Sequence, residues 1–445
     1  MSKALFLESM QALLGADYEC FEAGLNMPAF RGITVNTLKC SAEKLRRLFP
    51  YQPLKPTPFS QNGFYLPPEA EHLGRHPLHH AGAFYVQEPS AMSAAAVLDV
   101  QPREKVLDLC AAPGGKTAAL AAALCGTGLL WSNEYVKQRA FTLLSNCERM
   151  GVRNAVISNA DPQLLAARLP GYFDKILVDA PCSGEGMLRR EKAEYEKWNE
   201  KNITICTARQ KTILESAATL LRAGGEMVYS TCTFNKTENE EVITHFLKEH
   251  PDFELVTIKE TFGSSGFDMP QARRIFPKDG GEGHFIAKVK KSGEPEDVKH
   301  KSFTSQSAPN AFHDFYEEQF CSLPYGNACE IAGKTYLLPE GTPDLKGLPI
   351  LRAGVLAGEM KGKIFSPAHA LYTAAEATDC KNRLNLSLED VRTAQFLHGE
   401  EIDVSDSAVK KGFCAVSIEN IELGFGKVSG TKLKNHYPKG LRNLS

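Results

Sequence analysis

The chain is short of the features that would place it quickly. Its twelve cysteines, at 20, 40, 110, 125, 147, 182, 206, 232, 321, 329, 380 and 414, include no C-x-x-C pair. That argues against a zinc knuckle or a redox dithiol, and no metal is expected. Nowhere do eighteen apolar residues run together, and the opening MSKALFLESMQALLGADYEC has no long apolar stretch before a cleavage site. Neither a spanning helix nor a secretory leader is read there. The expectation is a soluble cytoplasmic monomer with free thiols and no membrane partner. Net charge is small as well, −2 over 445 residues, so the whole molecule is not the basic body of an obligate nucleic-acid binder. There is no internal repeat.

Two glycine patterns are missing from the stretch that most invites them. DLCAAPGGKT, residues 108–117, ends like a triphosphate cradle, but the required first glycine falls on Cys110, so the P-loop pattern fails. Gly114 and Gly115 are adjacent and no third glycine follows, which rules out the dinucleotide fingerprint too.

What is present is ordinary globular material, 43% apolar and 23% charged, enough for two to four domains. From Lys105 short apolar runs alternate with helical stretches. KVLDLC, GLLWSNE, AVISNAD, FDKILVDAP, EMVYSTC, FELVTI and GHFIAKVKK read as seven strands of an α/β, doubly wound, mostly parallel Rossmann-like sheet. TAALAAALC, VKQRAFTLLSNCERMG, ITICTARQKTILESAATLLRAGG and ENEEVITHFLKEH read as helices, with Gly224 and Gly225 as a helix stop and tight turn. A small N-terminal α+β module is expected over residues 1–75, the sheet domain over 76–290 and a Ser/Pro-rich charged linker over 291–310. An extension over 311–385 and a final module over 386–445 follow, the latter with one helix capped at Ser387.

In such a sheet, ligands collect at the carboxyl ends of the strands. Gly114 and Gly115 let backbone approach a ligand there. Glu134, twenty residues beyond Gly114, is placed for ribose hydroxyls; Asp108, Asp161 and Asp179 close three other strands. Several carboxylates would repel a triphosphate but suit a nucleoside with a sulfonium part, pointing to S-adenosylmethionine. The alternative is that these acids merely cap helices.

Cys182, three residues after Asp179, and Cys232, ending the fifth strand, stand at the same sheet edge beside Pro, Ser, Thr and Gly. A methyl donor next to a thiol suits one reaction: a thiolate adding to carbon 6 of cytosine makes carbon 5 nucleophilic. Lys116 would favour the thiolate, and Asp179 could protonate or hydrogen-bond N3. These residues leave open which cysteine attacks.

CAAPGGKT, DAPCSGEG and STCTF, preceded by RGITVNTLK and FYVQEPSAM, resemble the Sun/Fmu-type RNA cytosine-5 methyltransferases, and among them the bacterial RsmF-like ribosomal RNA enzymes. The resemblance implies that Cys232 is the nucleophile and that Cys182 assists release. It implies a cofactor site at Cys110, Ala111, Ala112, Pro113, Gly114, Gly115 and Lys116 with Glu134, Asp161 and Asp179, and Arg139 nearby. RAGVLAGEMKGKIFSPAHAL and GKVSGTKLKNHYPKGLR are similar to the family's C-terminal extension with its PUA-like RNA-binding module. The partner implied is RNA, most specifically small-subunit rRNA. Arg31, Asn36, Lys39, Lys432, Lys434, Lys439 and Arg442 become candidate RNA contacts, although a basic tail with no acid after Lys427 can equally be a solvated face. A DNA cytosine methyltransferase using Cys182, or an RNA-binding factor without catalysis, would be the rival readings.

Overall fold

The computed structural model describes residues 2–190, 198–294, 300–322 and 326–443. Its centre is a ten-stranded sheet in which all seven expected strands are found. Five are parallel: Lys105–Asp108, Leu129–Asn133, Ala155–Ser158, Phe173–Asp179 and Leu221–Thr231. The first lies in the middle, the second and third run to one side and the fourth and fifth to the other. The order therefore reverses between Lys105–Asp108 and Phe173–Asp179, which opens the crevice at their carboxyl ends. His284–Lys291 joins antiparallel beyond the fifth. Three strands were not expected. Ser264–Gly266 and Met269–Ile275 extend one edge, and Ile350–Ala353, from the C-terminal extension, pairs with Ala155–Ser158 on the other.

The apolar runs become strands because both sheet faces are covered. Leu107, Trp131, Val156, Ile176, Val178 and Tyr229 pack in one buried cluster; Val106, Leu130, Ile157, Leu177 and Val228 face the other way into a second. Each such side chain contributes about 1.5–3 kcal/mol by leaving water. Helix Glu200–Leu220 is started by Asn199, whose side chain accepts from Asn202 N, and buries Cys206, Gln210, Ile213, Leu214 and Ala217 at helical spacing. It runs directly into the fifth strand. Gly224 and Gly225 lie inside that strand and are not a helix stop; a Cβ at Gly225 would stand 2.8 Å from Asp174 O, so glycine answers close strand packing there.

Before the sheet, helices Ser2–Leu14 and Tyr18–Leu25 precede a four-stranded sheet whose last strand, Phe84–Gln87, reaches past residue 75. After it come two five-stranded sheets, the first with its strands between Gln306 and Pro367, the second between Arg383 and Asn435. The linker expectation changes accordingly. Residues 295–299 lie outside the described residues, while Gln306–Ser307 pairs with Asn327–Ile331. The late helix spans Val391–His398, capped by Asp390 and not Ser387, because the Asp390 carboxylate accepts from Arg392 N. Among the described residues no helix is long and apolar enough to cross a membrane.

Candidate active site

A cavity of about 620 Å³ opens at the carboxyl ends of the parallel strands, lined at one end by Cys110, Ala112, Glu134, Arg139 and Asp161 and at the other by Asp179, Cys182 and Cys232. The first end is assembled from neighbouring strand termini. Asn133 ties three of them: its amide donates to Leu109 O and Ala160 O, and its Oδ1 accepts from Ser158 Oγ. Ala111 N in turn donates to Asn133 O at 2.8 Å. Gly114 takes φ 114° as the helix Gly115–Ala123 begins, a conformation L side chains rarely adopt. A Cβ on Gly115 would come within 2.5 Å of Gln87 Oε1. Pro113, Gly114 and Gly115 thus shape the loop from behind, while Cys110 and Ala112 line the cavity and Ala111 is buried.

Each expected acid has a distinct fate. Asp108 is fully buried and accepts from Thr117 Oγ1 at 2.7 Å; burial pushes its carboxyl up to about 7. Glu134 is buried, accepts from Val136 N at 2.8 Å and pairs with Arg139 at 3.3 Å. Arg139 also donates to Ala112 O at 2.7 Å, so it pins the loop to Glu134. Asp161 does cap a helix, accepting from Gln163 N, and it lines the cavity as well.

Asp179 holds the middle. Lys116 Nζ lies 2.7 Å from Oδ2, Ser230 Oγ donates to Oδ1 at 2.8 Å, and His284 Nε2 stands 3.7 Å from Oδ1. Burial alone would raise this carboxyl, but Lys116 and His284 overcome it and hold it well below the usual carboxylate range. Burial likewise opposes the charge on Lys116, yet Asp179 and the nearby Cys232 sulfur keep it raised. These contacts favour the carboxylate form of Asp179, which suits the hydrogen-bonding role among the two expected of it. His284 was missed from sequence. Its signal was its place opposite the end of the fifth strand, visible only once Phe285 is seen to pair with Thr231.

The two thiols meet, with Cys182 Sγ 3.3 Å from Cys232 Sγ. Hydrogen bonding to Cys232, together with burial, pushes the Cys182 thiol well above its ordinary value. Two buried carboxylates stitch their loops together. Glu185 accepts from Thr233 Oγ1, Phe234 N and Asn235 N at 2.7–2.9 Å and from Trp198 Nε1 at 2.9 Å. Glu238 accepts from the Ser183 hydroxyl, Ser183 N, Asn235 Nδ2 and Gln210 Nε2. None of these partners was singled out from sequence.

The expected RNA contacts divide. Asn36 is buried, its amide donating to Gly82 O and Met150 O at 2.8 Å each. The Lys39 side chain is buried too, donating to Ala81 O and Glu422 O at 3.1 Å, and burial lowers its ammonium to about 8. Both fasten the N-terminal module to its neighbours and cannot reach RNA, a correction that follows from their inward orientation. Arg31 is half-buried at the start of strand Gly32–Val35. Lys432 is exposed and pairs with Asp403 at 3.0 Å, and Arg442 donates to Tyr437 O. Lys434 and Lys439 are exposed; Lys434 faces Lys427 across a strand pair, and Lys427 lies 5.2 Å from the Phe413 ring centre.

Comparison with known proteins covers almost the whole chain. Residues 95–290 match the family model for the 16S rRNA methyltransferase RsmB/F. Residues 3–89 match the N-terminal domain of 16S rRNA methyltransferase RsmF, 314–374 its first C-terminal domain and 383–443 its PUA domain. The ribosomal RNA small subunit methyltransferase F of Vibrio campbellii is 32% identical over 98% of this chain and 96% of its own length. That of Klebsiella pneumoniae is 31% identical over 98% and 95%. A methyltransferase homologue from Pyrococcus horikoshii superposes with a TM-score of 0.58 at 32% identity, over 64% of this chain and 94% of its own. NSun6 from the same organism, solved with SFG, gives 0.59 at 24% identity over 65% and 98%, which speaks for the fold.

Proposed function

Because the chain belongs to the RsmB/F family of 16S rRNA methyltransferases, on its RsmF branch, we propose that it methylates carbon 5 of a cytosine in small-subunit rRNA through a covalent bond from Cys232 to carbon 6. The observation that carries this reading is the pair of sulfurs 3.3 Å apart in the cavity that Asp179 also lines. The Lys116 ammonium interacts with the Cys232 sulfur, an arrangement that suits attack from that cysteine.

S-Adenosylmethionine fits the opposite end. The cavity is roomy, the loop 110–116 brings backbone to its wall, and Glu134, Asp161 and Asp179 supply negative charge, which suits ribose hydroxyls and a cationic sulfur better than phosphates. Cys110 and Ala112 with Glu134, Asp161 and Asp179 would hold it, with Arg139 bracing the loop. When bound, it supplies an electrophilic methyl group. The chain's own work is at the base. Asp179, kept ionised, accepts from the exocyclic amine of cytosine, and Lys116 is the donor for charge that develops on the ring when Cys232 adds. Once carbon 5 carries the methyl group, its proton must pass to a base so that the carbon 5–carbon 6 double bond re-forms and Cys232 leaves as thiolate; Cys182 would relay that proton, losing its own to solvent as it takes up this one.

The test is a contrast between variants. With S-adenosylmethionine and cytosine-bearing RNA, Cys182→Ala should accumulate a protein–RNA adduct that survives a denaturing gel, while Cys232→Ala shows neither adduct nor turnover. Reversed roles would overturn the assignment of the thiols. Methyl transfer to cytosine by the doubly substituted enzyme would overturn the covalent route itself.

A further inference from the structure

Two guanidiniums line the cavity. Arg139 is committed to Glu134 and Ala112 O. Arg209 is exposed and, among the described residues, has no hydrogen bond or ion pair. Its position along helix Glu200–Leu220 is fixed by its neighbour, since Gln210 Nε2 donates to Pro181 O at 3.1 Å and to Glu238 at 2.8 Å. Arg209, the preceding residue, lines the same cavity as Pro181 and the two thiols. Its charge and that of Cys232 are both felt by Cys206, one turn earlier on the same helix. An uncommitted cation at the rim of a cavity whose other charged side chains are Glu134, Arg139, Asp161 and Asp179 is open to an anion arriving from outside.

Resting on the reading just proposed, we infer that Arg209 contacts a backbone phosphate next to the target cytidine, holding the strand while the base enters the cavity. A cytidine entering from solvent brings its two flanking phosphates to the rim, and a planar guanidinium suits them. Ile205, 47% exposed one turn away, offers that strand an apolar surface beside the charge. The cofactor's carboxylate is the other anion that could claim Arg209. The exposure of Arg209, with Ile205 exposed beside it on the same helix, favours the RNA.

The experiment uses the full chain and a labelled single-stranded RNA oligonucleotide with one cytosine, in native form and with a methylphosphonate replacing each phosphate beside it. For the native enzyme, one of the two neutral linkages should weaken binding about tenfold. Arg209→Gln should bind the all-phosphate RNA about tenfold more weakly and be indifferent to that linkage. Its plot of log affinity against log salt should flatten by about 0.7, the share of one phosphate on a single strand. Arg209→Lys should recover most of the slope. Calorimetric affinity for S-adenosylmethionine should stay within twofold. An unchanged slope with undiminished sensitivity to both linkages would overturn the inference while leaving the catalytic reading intact. A selective loss of cofactor affinity would move Arg209 to the carboxylate and overturn it as well. If the native enzyme bound no RNA and formed no adduct, the failure would lie with the proposed function.

Discussion

The two ends of the cavity are held by different kinds of structure. At the cofactor end, the parts come from consecutive strand termini, and neutral or half-exposed side chains tie backbone carbonyls together: Asn133 bridges Leu109 and Ala160, and Arg139 reaches Ala112 O. At the thiol end, two loops from separate strands are joined by buried carboxylates, Glu185 and Glu238, each accepting at least four bonds. A pocket for a ligand that must come and go tolerates a backbone cradle. Two sulfurs that must stay in line with one another need their loops fixed by side chains, and a buried carboxylate surrounded by donors does this well.

The largest effect should come from Glu185→Ala. It strands the buried Phe234 N and Trp198 indole, each at a cost of roughly 1–3 kcal/mol, and removes a partner from Asn235 N and the Thr233 hydroxyl. Methyl transfer should fall at least ~100-fold, the loss that about 3 kcal/mol of misplaced catalytic geometry implies, with cofactor affinity measured by calorimetry within twofold. If cofactor affinity collapsed in parallel, the two ends would be one cooperative unit and the contrast drawn here would be wrong.

A middle effect is expected at His284. His284→Phe keeps a ring of similar size and removes the nitrogen 3.7 Å from Asp179. Because His284 helps hold the Asp179 carboxyl down, that carboxyl should ionise at a higher pH in the variant. Loss of kcat/KM on the acid side should then begin at higher pH than in the native enzyme, while the rate at its optimum falls by about tenfold or less. An acid limb that stays where it was would mean Lys116 alone sets the charge.

The same contrast explains what could be read from the chain. The cofactor end was legible because its signals are local: a glycine-bearing loop and an acid twenty residues on. The sheet was legible for the same reason, through its apolar runs. Ile350–Ala353 was not, because it joins an edge strand from almost 200 residues away in sequence, and nothing in ILRA marks its partner. Glu185, Glu238 and His284 act only through residues that folding brings to them. The error over Asn36 and Lys39 has a related cause. The family resemblance offered Lys39 as an RNA contact without regard to burial, and only the fold shows it turned toward Ala81 O and Glu422 O.

The smallest effect sharpens the contrast from the other side. The Arg139 side chain is 52% exposed and reaches both Glu134, at 3.3 Å, and Ala112 O, at 2.7 Å. Half of its guanidinium surface meets water, so the ion pair with Glu134 is worth no more than about 1 kcal/mol. The bond to Ala112 O braces a loop already secured through Ala111 N and Asn133. Arg139→Gln should therefore weaken S-adenosylmethionine binding by about fivefold or less, leave the melting temperature nearly unchanged and leave single-turnover methylation at saturating cofactor within twofold. A loss of a hundredfold or more would show that the cofactor end, like the thiol end, depends on one side-chain charge to hold its backbone in place.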